Sequence, residues 1–422
     1  MIFPKLIKVR QKFMGPVVED VEKKVFEQLM LLGIQERITP GMRIAITAGS
    51  RGIANIPLII RSVVRALKKW GADPFIIPTM GSHGGATAEG QIDVLHSLGI
   101  TEKFCEASIV SSMEVSQIGE TPQGMPVYVD KNALEADAVL LVGRVKVHTD
   151  FKSPIGIESG LMKMAAIGMG KHKQALLIHT YGVHGIRDIM PEVARVVLKN
   201  VNILCGVAIV ENAFEQTAII EAIPTENIPY RERELLEVSA SLMPKLPVDD
   251  LDVLIVDEIG KNYSGTGMDT NIIGRIRILG TEEPKGPRIK YVIASDLSEE
   301  SHGNALGIGL ADLTTTRLFN KIDFHIMNEN VVTSTFLHRA MIPIVMESDK
   351  EALSAALRAT WGVASNQARI IRIPNTLQLE YLYVSEVLLP EVMQLTHIEL
   401  VDEPTEITFD GQGYFYKSVF AH

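Results

Sequence analysis

The chain is 422 residues long, 46% hydrophobic and 22% charged, which suits a globular protein with more than one core rather than a disordered or fibrous one. Its formal net charge of −10 argues against a general binder of nucleic acid or of an anionic membrane, while leaving room for a local basic pocket. Two distant cysteines, Cys105 and Cys205, no apolar leader and no apolar run of membrane-spanning length predict a cytoplasmic protein without a disulfide framework.

In chain order, Val18, Val21, Val25, Leu29 and Leu32 recur at helical spacing and predict a helix over 17–33. The apolar run 42–49 predicts a buried strand that ends at Ser50-Arg51-Gly52. Asn55, followed by Pro57, predicts the cap of a helix that reaches Trp70. A second strand over 74–80 ends at Gly81-Ser82-His83, and another helix starts near Thr87. A strand over 136–145 delivers the chain to His148 in the same way. Strands alternating with helices predict a parallel sheet, and such sheets bind ligands at the carboxyl ends of their strands. Arg51, His83 and His148 are all expected there.

From Val147 to His179 the chain is rich in glycine and methionine, and Lys163 lies inside that stretch. It reads as a loop in which Gly156, Gly160, Gly168 and Gly170 allow close backbone approach. A lysine in an apolar setting has a depressed pKa and can serve as a nucleophile or a covalent anchor. Beyond it, a helix over 186–200, a strand over 203–212 and a charged helix near 229–241 lead to a proline-bearing polar stretch at 241–250. That stretch predicts a boundary between domains 1–248 and 249–422. The second domain is expected to hold strands over 251–260 and 288–297, and helices over 305–319 and 349–360, the last capped by Asp349. The expected fold class is α/β: two α/β domains with mostly parallel sheets and the active site in the cleft between them.

Several chemistries can be weighed on residues alone. His83, His148, His172, His179, His184 and His302 are candidate metal ligands, but neither HExxH nor a cysteine pair near a histidine is present for a self-contained zinc site. The early loops carry neither GxGxxG nor a Walker sequence, and GxSxG is absent. What remains is a set of histidines at strand ends, with Arg51 and Lys261 available for an anion. Paired histidines suit proton movement at neutral pH, and arginine can grip a carboxylate with two parallel hydrogen bonds. Together they point to acid–base work on a small hydroxy or keto acid.

These residues resemble the nickel-dependent lactate racemase family, whose members use a nickel-pincer nucleotide. Arg51 in ITAGSRGI is similar to the family's carboxylate-binding arginine, and His83 in MGSHGG and His148 in VKVHTDF are similar to its two catalytic bases. The resemblance implies that Lys163, in Ser159-Gly160-Leu161-Met162-Lys163, carries the cofactor covalently, with Ser159, Gly160 and Ser50 beside it. It makes His179, sixteen residues after Lys163, the protein's nickel ligand. It also places Glu258, Lys261 and Trp361 at the substrate. Departures from the family pattern are Ala48-Gly49-Ser50 where an acidic residue precedes the arginine, Leu161 for the second glycine of the lysine motif, a longer segment between His148 and Lys163, and Glu258 for a glutamine. A glutamate accepts hydrogen bonds from hydroxyls, so a bulkier or polyhydroxylated 2-hydroxy acid is expected in place of lactate. The implied activity is a racemase or epimerase that inverts C2 through a 2-keto acid. Its implied partners are the 2-hydroxy acid substrate and separate cofactor maturation proteins. The competing expectations are a non-catalytic binder of an organic acid or nucleotide, and a hydroxy-acid lyase on the same scaffold.

Overall fold

The computed structural model describes residues 2–416 and Phe420, and the chain divides into two compact units. One is Met14–Met243; the other joins Met1–Phe13 to Pro244–His422. The division falls five residues before the expected boundary. It also assigns the first thirteen residues, expected in the N-terminal domain, to the C-terminal unit. The cause is strand pairing: Leu6–Gln11 is an antiparallel strand between Tyr381–Ser385 and Ile398–Leu400.

The Met14–Met243 unit is built on a five-stranded sheet in the order Asp73–Pro78, Arg43–Ala48, Ala138–Arg144, Ile203–Glu211, Thr217–Ile223. The first four strands are parallel and the last is antiparallel. Side chains alternate across the sheet, so one strand feeds two cores. Ala45, Val139 and Leu141 face one layer, while Ile44, Ile46, Ala138, Leu140 and Val142 face the other. The second layer includes the helices Val21–Leu31 and Ile56–Lys69, whose apolar stripes include Val25, Leu29, Ile59, Ile60 and Val63. Asn55 stands before the second of these helices as expected, but in a left-handed conformation (φ 60°), without a side-chain cap bond. Its amide instead donates to Thr217 Oγ1 at 3.0 Å.

The other unit carries an eight-stranded sheet in the order Ile344–Met346, Leu313–Thr315, Arg288–Ala294, Asp250–Val256, Ile370–Ile373, Tyr381–Ser385, Leu6–Gln11, Ile398–Leu400. The first five strands are parallel and the rest antiparallel. Two expectations fail here. Residues 305–319 do not form one helix: Ile308–Leu310 is a single 3-10 turn, Leu313–Thr315 is a strand and only Thr316–Phe319 is α-helical. Gly307 (φ 106°) lies so close to the Thr266 carbonyl that no side chain fits, and the β-branched threonines join the sheet instead. The Asp349–Ala359 helix is capped by Ser348, whose hydroxyl accepts from the Glu351 N–H, so Asp349 is its first residue and not its cap. Among the described residues no helix is long and apolar enough to cross a membrane.

Candidate active site

In the Met14–Met243 unit the segment expected as a loop is largely helical. Leu161–Lys163 begins a helix that widens to π geometry over Met164–Gly168 and resumes as Lys171–His179. Small residues let this helix press against the carboxyl ends of two strands. A Cβ on Gly168 would lie 2.8 Å from the Thr79 carbonyl oxygen, and one on Gly49 would lie 3.2 Å from Met164 Cε. The Thr79 hydroxyl reaches both the Ala48 carbonyl (3.2 Å) and Met164 Sδ (3.0 Å). The lysine-bearing helix is thus seated on the strands that lead to Ser50-Arg51 and to His83.

Lys163 Nζ is 3.0 Å from His148 Nε2. The backbone N–H of Asp150 donates to His148 Nδ1 at 3.1 Å, so the neutral ring carries its proton on Nε2 and donates it to the lysine. That bond requires Lys163 as a free amine. Burial, then the charge of Arg51, lower the ammonium to about 8, opposed by Asp150, so the free amine that this bond needs predominates above about pH 8. Glu158, buried, holds the turn that presents His148 by accepting from the N–H groups of His148 (2.6 Å) and Ser153 (3.0 Å).

His179, at the end of the Lys171–His179 helix, directs Nδ1 to the Ala175 carbonyl at 2.6 Å, which orients the ring and turns Nε2 away from the helix. Burial lowers its pKa, the Ala175 bond opposes this, and the nearby Lys163 charge lowers it further. Arg51 and His83 are solvent-exposed, and Ser50 is half-buried. The His83 turn is fastened by Gln91, whose amide donates to the carbonyls of Gly81 (3.0 Å) and His83 (3.2 Å). Ser159 bridges back to Lys146, and Gly160 is buried.

The remaining candidates lie in the other unit. Glu258 follows the Asp250–Val256 strand and accepts from the Tyr263 hydroxyl at 2.5 Å. Lys261 Nζ donates to the Gly265 carbonyl (2.5 Å) and to Asn330 Oδ1 (3.0 Å). Trp361 is 89% exposed, so it is no core residue.

Residues 11–183 match the family model described as the lactate racemase N-terminal domain. The match covers less than half of the chain, and the likeness to that family is a likeness of this segment. The lactate racemase apoprotein from Thermoanaerobacterium thermosaccharolyticum shares the fold, with a TM-score of 0.50 and 14% identity over 88% of this chain and 94% of that one. No curated protein matches the chain in sequence.

Four supports of this site escaped the sequence reading: Asp150, Glu158, Gln91 and Glu232. Each is an ordinary polar residue whose role depends on contacts remote in sequence or on the turn it sits in. Glu232 is 1% exposed and lies under the start of the Lys163 helix, where Oε2 accepts from the Met162 N–H at 2.9 Å. A Cβ on Gly160 would lie 2.5 Å from the Glu232 carboxyl carbon, which is why glycine stands before the lysine turn. Burial pushes the Glu232 carboxyl up to about 7, opposed by the Met162 and Leu161 N–H groups. The folded state therefore holds this proton more tightly than the unfolded chain. The contribution to stability is fully present below the ordinary glutamate range and is lost as pH rises through about 7, with an upper bound of roughly 3 kcal/mol. Glu232→Gln should remove this slope: the melting temperature of the native chain, relative to the variant, should fall from about pH 5 to about pH 8. A constant difference over that range would contradict the assignment.

Proposed function

We propose that the protein is a racemase or epimerase of a 2-hydroxy acid that works with a nickel-pincer nucleotide tethered to Lys163. The observation that carries this reading is the Lys163–His148 contact at 3.0 Å, which pairs a lysine of lowered pKa with a histidine that follows a strand. The residues suit the cofactor. Lys163 is a half-buried amine with its pKa lowered, as covalent attachment requires. His179 has Nδ1 engaged by the Ala175 carbonyl, which suits Nε2 as a metal ligand. Among the described residues no cluster of three or more His, Cys, Asp or Glu gathers for a metal, so His179 would be the chain's own contribution. Ser50, Ser159 and Gly160 would adjoin the tethered group.

When bound, the cofactor supplies a ring that accepts and returns the C2 hydride of the substrate. The chain's residues do the rest. Arg51, a guanidinium at a strand end, holds the carboxylate. One of His83 and His148 takes the hydroxyl proton as the 2-keto acid forms, and the other returns a proton to the keto oxygen when the opposite face is reduced. Lys261, Glu258 and Trp361 are proposed as further substrate contacts on residue type. The proposal of a polyhydroxylated substrate rests on Glu258 as a residue type, since a carboxylate accepts hydrogen bonds from hydroxyls as it does here from Tyr263.

The decisive experiment uses 2-hydroxy acid, including sugar acids, deuterated at C2. Retention of much of the deuterium in the inverted product is expected. Rapid loss to solvent would instead indicate proton abstraction through an enolate, and a changed molecular formula would indicate a lyase.

A further inference from the structure

Asp150 stands two residues beyond His148 and offers the same ring nitrogen two different partners. Its backbone N–H donates to His148 Nδ1 at 3.1 Å, while its carboxylate oxygen Oδ2 lies 3.7 Å from that atom. The ring and the carboxylate are both largely shielded from solvent, with side-chain exposures of 14% and 18%. The ring is also packed against Phe151, with centroids 4.6 Å apart, which limits the motions open to it.

These contacts define two arrangements of one proton. With the Asp150 N–H on Nδ1, His148 carries its proton on Nε2 and donates it to the free amine of Lys163. A histidine in that state cannot act as a base at Nε2, because its only free lone pair is already engaged at Nδ1. To accept a substrate proton, Nδ1 must carry the hydrogen and direct it to an acceptor, and the Asp150 carboxylate, with Oδ2 at 3.7 Å, is an acceptor of suitable charge close to that atom. The first arrangement preserves Lys163 as a nucleophile before anything is attached to it. The second serves once the lysine nitrogen has become an amide, which is a donor and no longer an acceptor.

We propose that Asp150 is a positioning residue that sets the tautomer of His148: its N–H holds the donor form beside free Lys163, and its carboxylate holds the base form after the lysine has been acylated. The inference rests on the proposed catalytic role of His148 for its kinetic consequences, but not for the tautomers themselves.

The test therefore has two arms. In the chain purified without cofactor, nitrogen-15 NMR of the histidines, with His148 assigned from a His148→Ala variant, reads the tautomer above about pH 8, where the ring and Lys163 are both neutral. The unsubstituted chain should show the proton on Nε2. Lys163→Met, which removes the amine, should move it to Nδ1, and adding Asp150→Ala to Lys163→Met should return it to Nε2. In enzyme produced with cofactor, Asp150→Ala should lower kcat by roughly 10-fold to 1,000-fold with KM changed little, since loss of an orienting carboxylate acts on the proton-transfer step. Asp150→Glu should recover part of that loss and shift the pH–rate profile. The same tautomer in Lys163→Met with and without Asp150 would overturn the proposal, whatever the enzyme's activity. A parallel loss of kcat and of substrate affinity, without recovery in Asp150→Glu, would overturn it as well by indicating a merely structural residue. Absence of turnover in the unsubstituted holoenzyme would count against the racemase reading and leave the NMR arm to decide on Asp150.

Discussion

His148→Ala should lower turnover of the 2-hydroxy acid by about 10²-fold to 10⁴-fold, the usual contribution of a positioned acid or base. The loss should fall on kcat, because carboxylate binding is assigned to Arg51 and no binding contact of His148 is invoked. His83→Ala should show the same order of effect, and the two substitutions together should cost far less than the product of the single losses. Residues that act as a relay fail as a unit. Covalent loading at Lys163 should survive both substitutions, which intact mass would show. Retained turnover within a factor of about two in either variant would remove that histidine from the mechanism.

The largest effect on stability is expected at Lys171. This side chain is completely buried, and its ammonium contacts the Pro78 carbonyl, Gln91 Oε1 (3.0 Å) and Asp130 Oδ2 (3.1 Å). Asp130 is completely buried too. Burial pushes the Asp130 carboxyl up and the Lys171 ammonium down, and each charge partly offsets the shift of the other. Lys171→Met leaves a buried carboxylate without its cation, which costs about 3–5 kcal/mol. Adding Asp130→Asn to Lys171→Met should recover much of this, because it removes the uncompensated charge. Denaturant midpoints of the single and double variants check both statements; a double variant less stable than Lys171→Met would contradict them. Function should suffer too, since Gln91, one partner of Lys171, also fastens the His83 turn.

The strands that carry the site were legible because buried parallel strands have an unmistakable pattern. The runs at 42–49, 74–80, 136–145 and 203–212 all became neighbours in one sheet. The segment around Lys163 was legible in its residues and not in its shape. Four glycines suggest a loop, but at Gly160 and Gly168 the missing Cβ serves close packing against Glu232 and Thr79, not chain reversal. The 305–319 segment misled for another reason: its spacing is compatible with a helix, but Gly307 takes φ 106° and Leu313–Thr315 pairs with strands on both sides. The strand at Leu6–Gln11 is short, and its partners are nearly four hundred residues away, so nothing local announces it. Buried supports such as Glu232, Gln91 and Lys171 have no sequence signature, since what makes them special is the company they keep after folding.

The central claim, a cofactor tethered at Lys163 with nickel held by His179, is tested most directly by intact mass and nickel content of the protein produced together with pincer-nucleotide maturation proteins. The account predicts a covalent adduct that disappears in Lys163→Ala, and nickel that is lost in His179→Ala. An unmodified, nickel-free chain under those conditions would contradict it and favour a protein that binds its organic acid without turning it over.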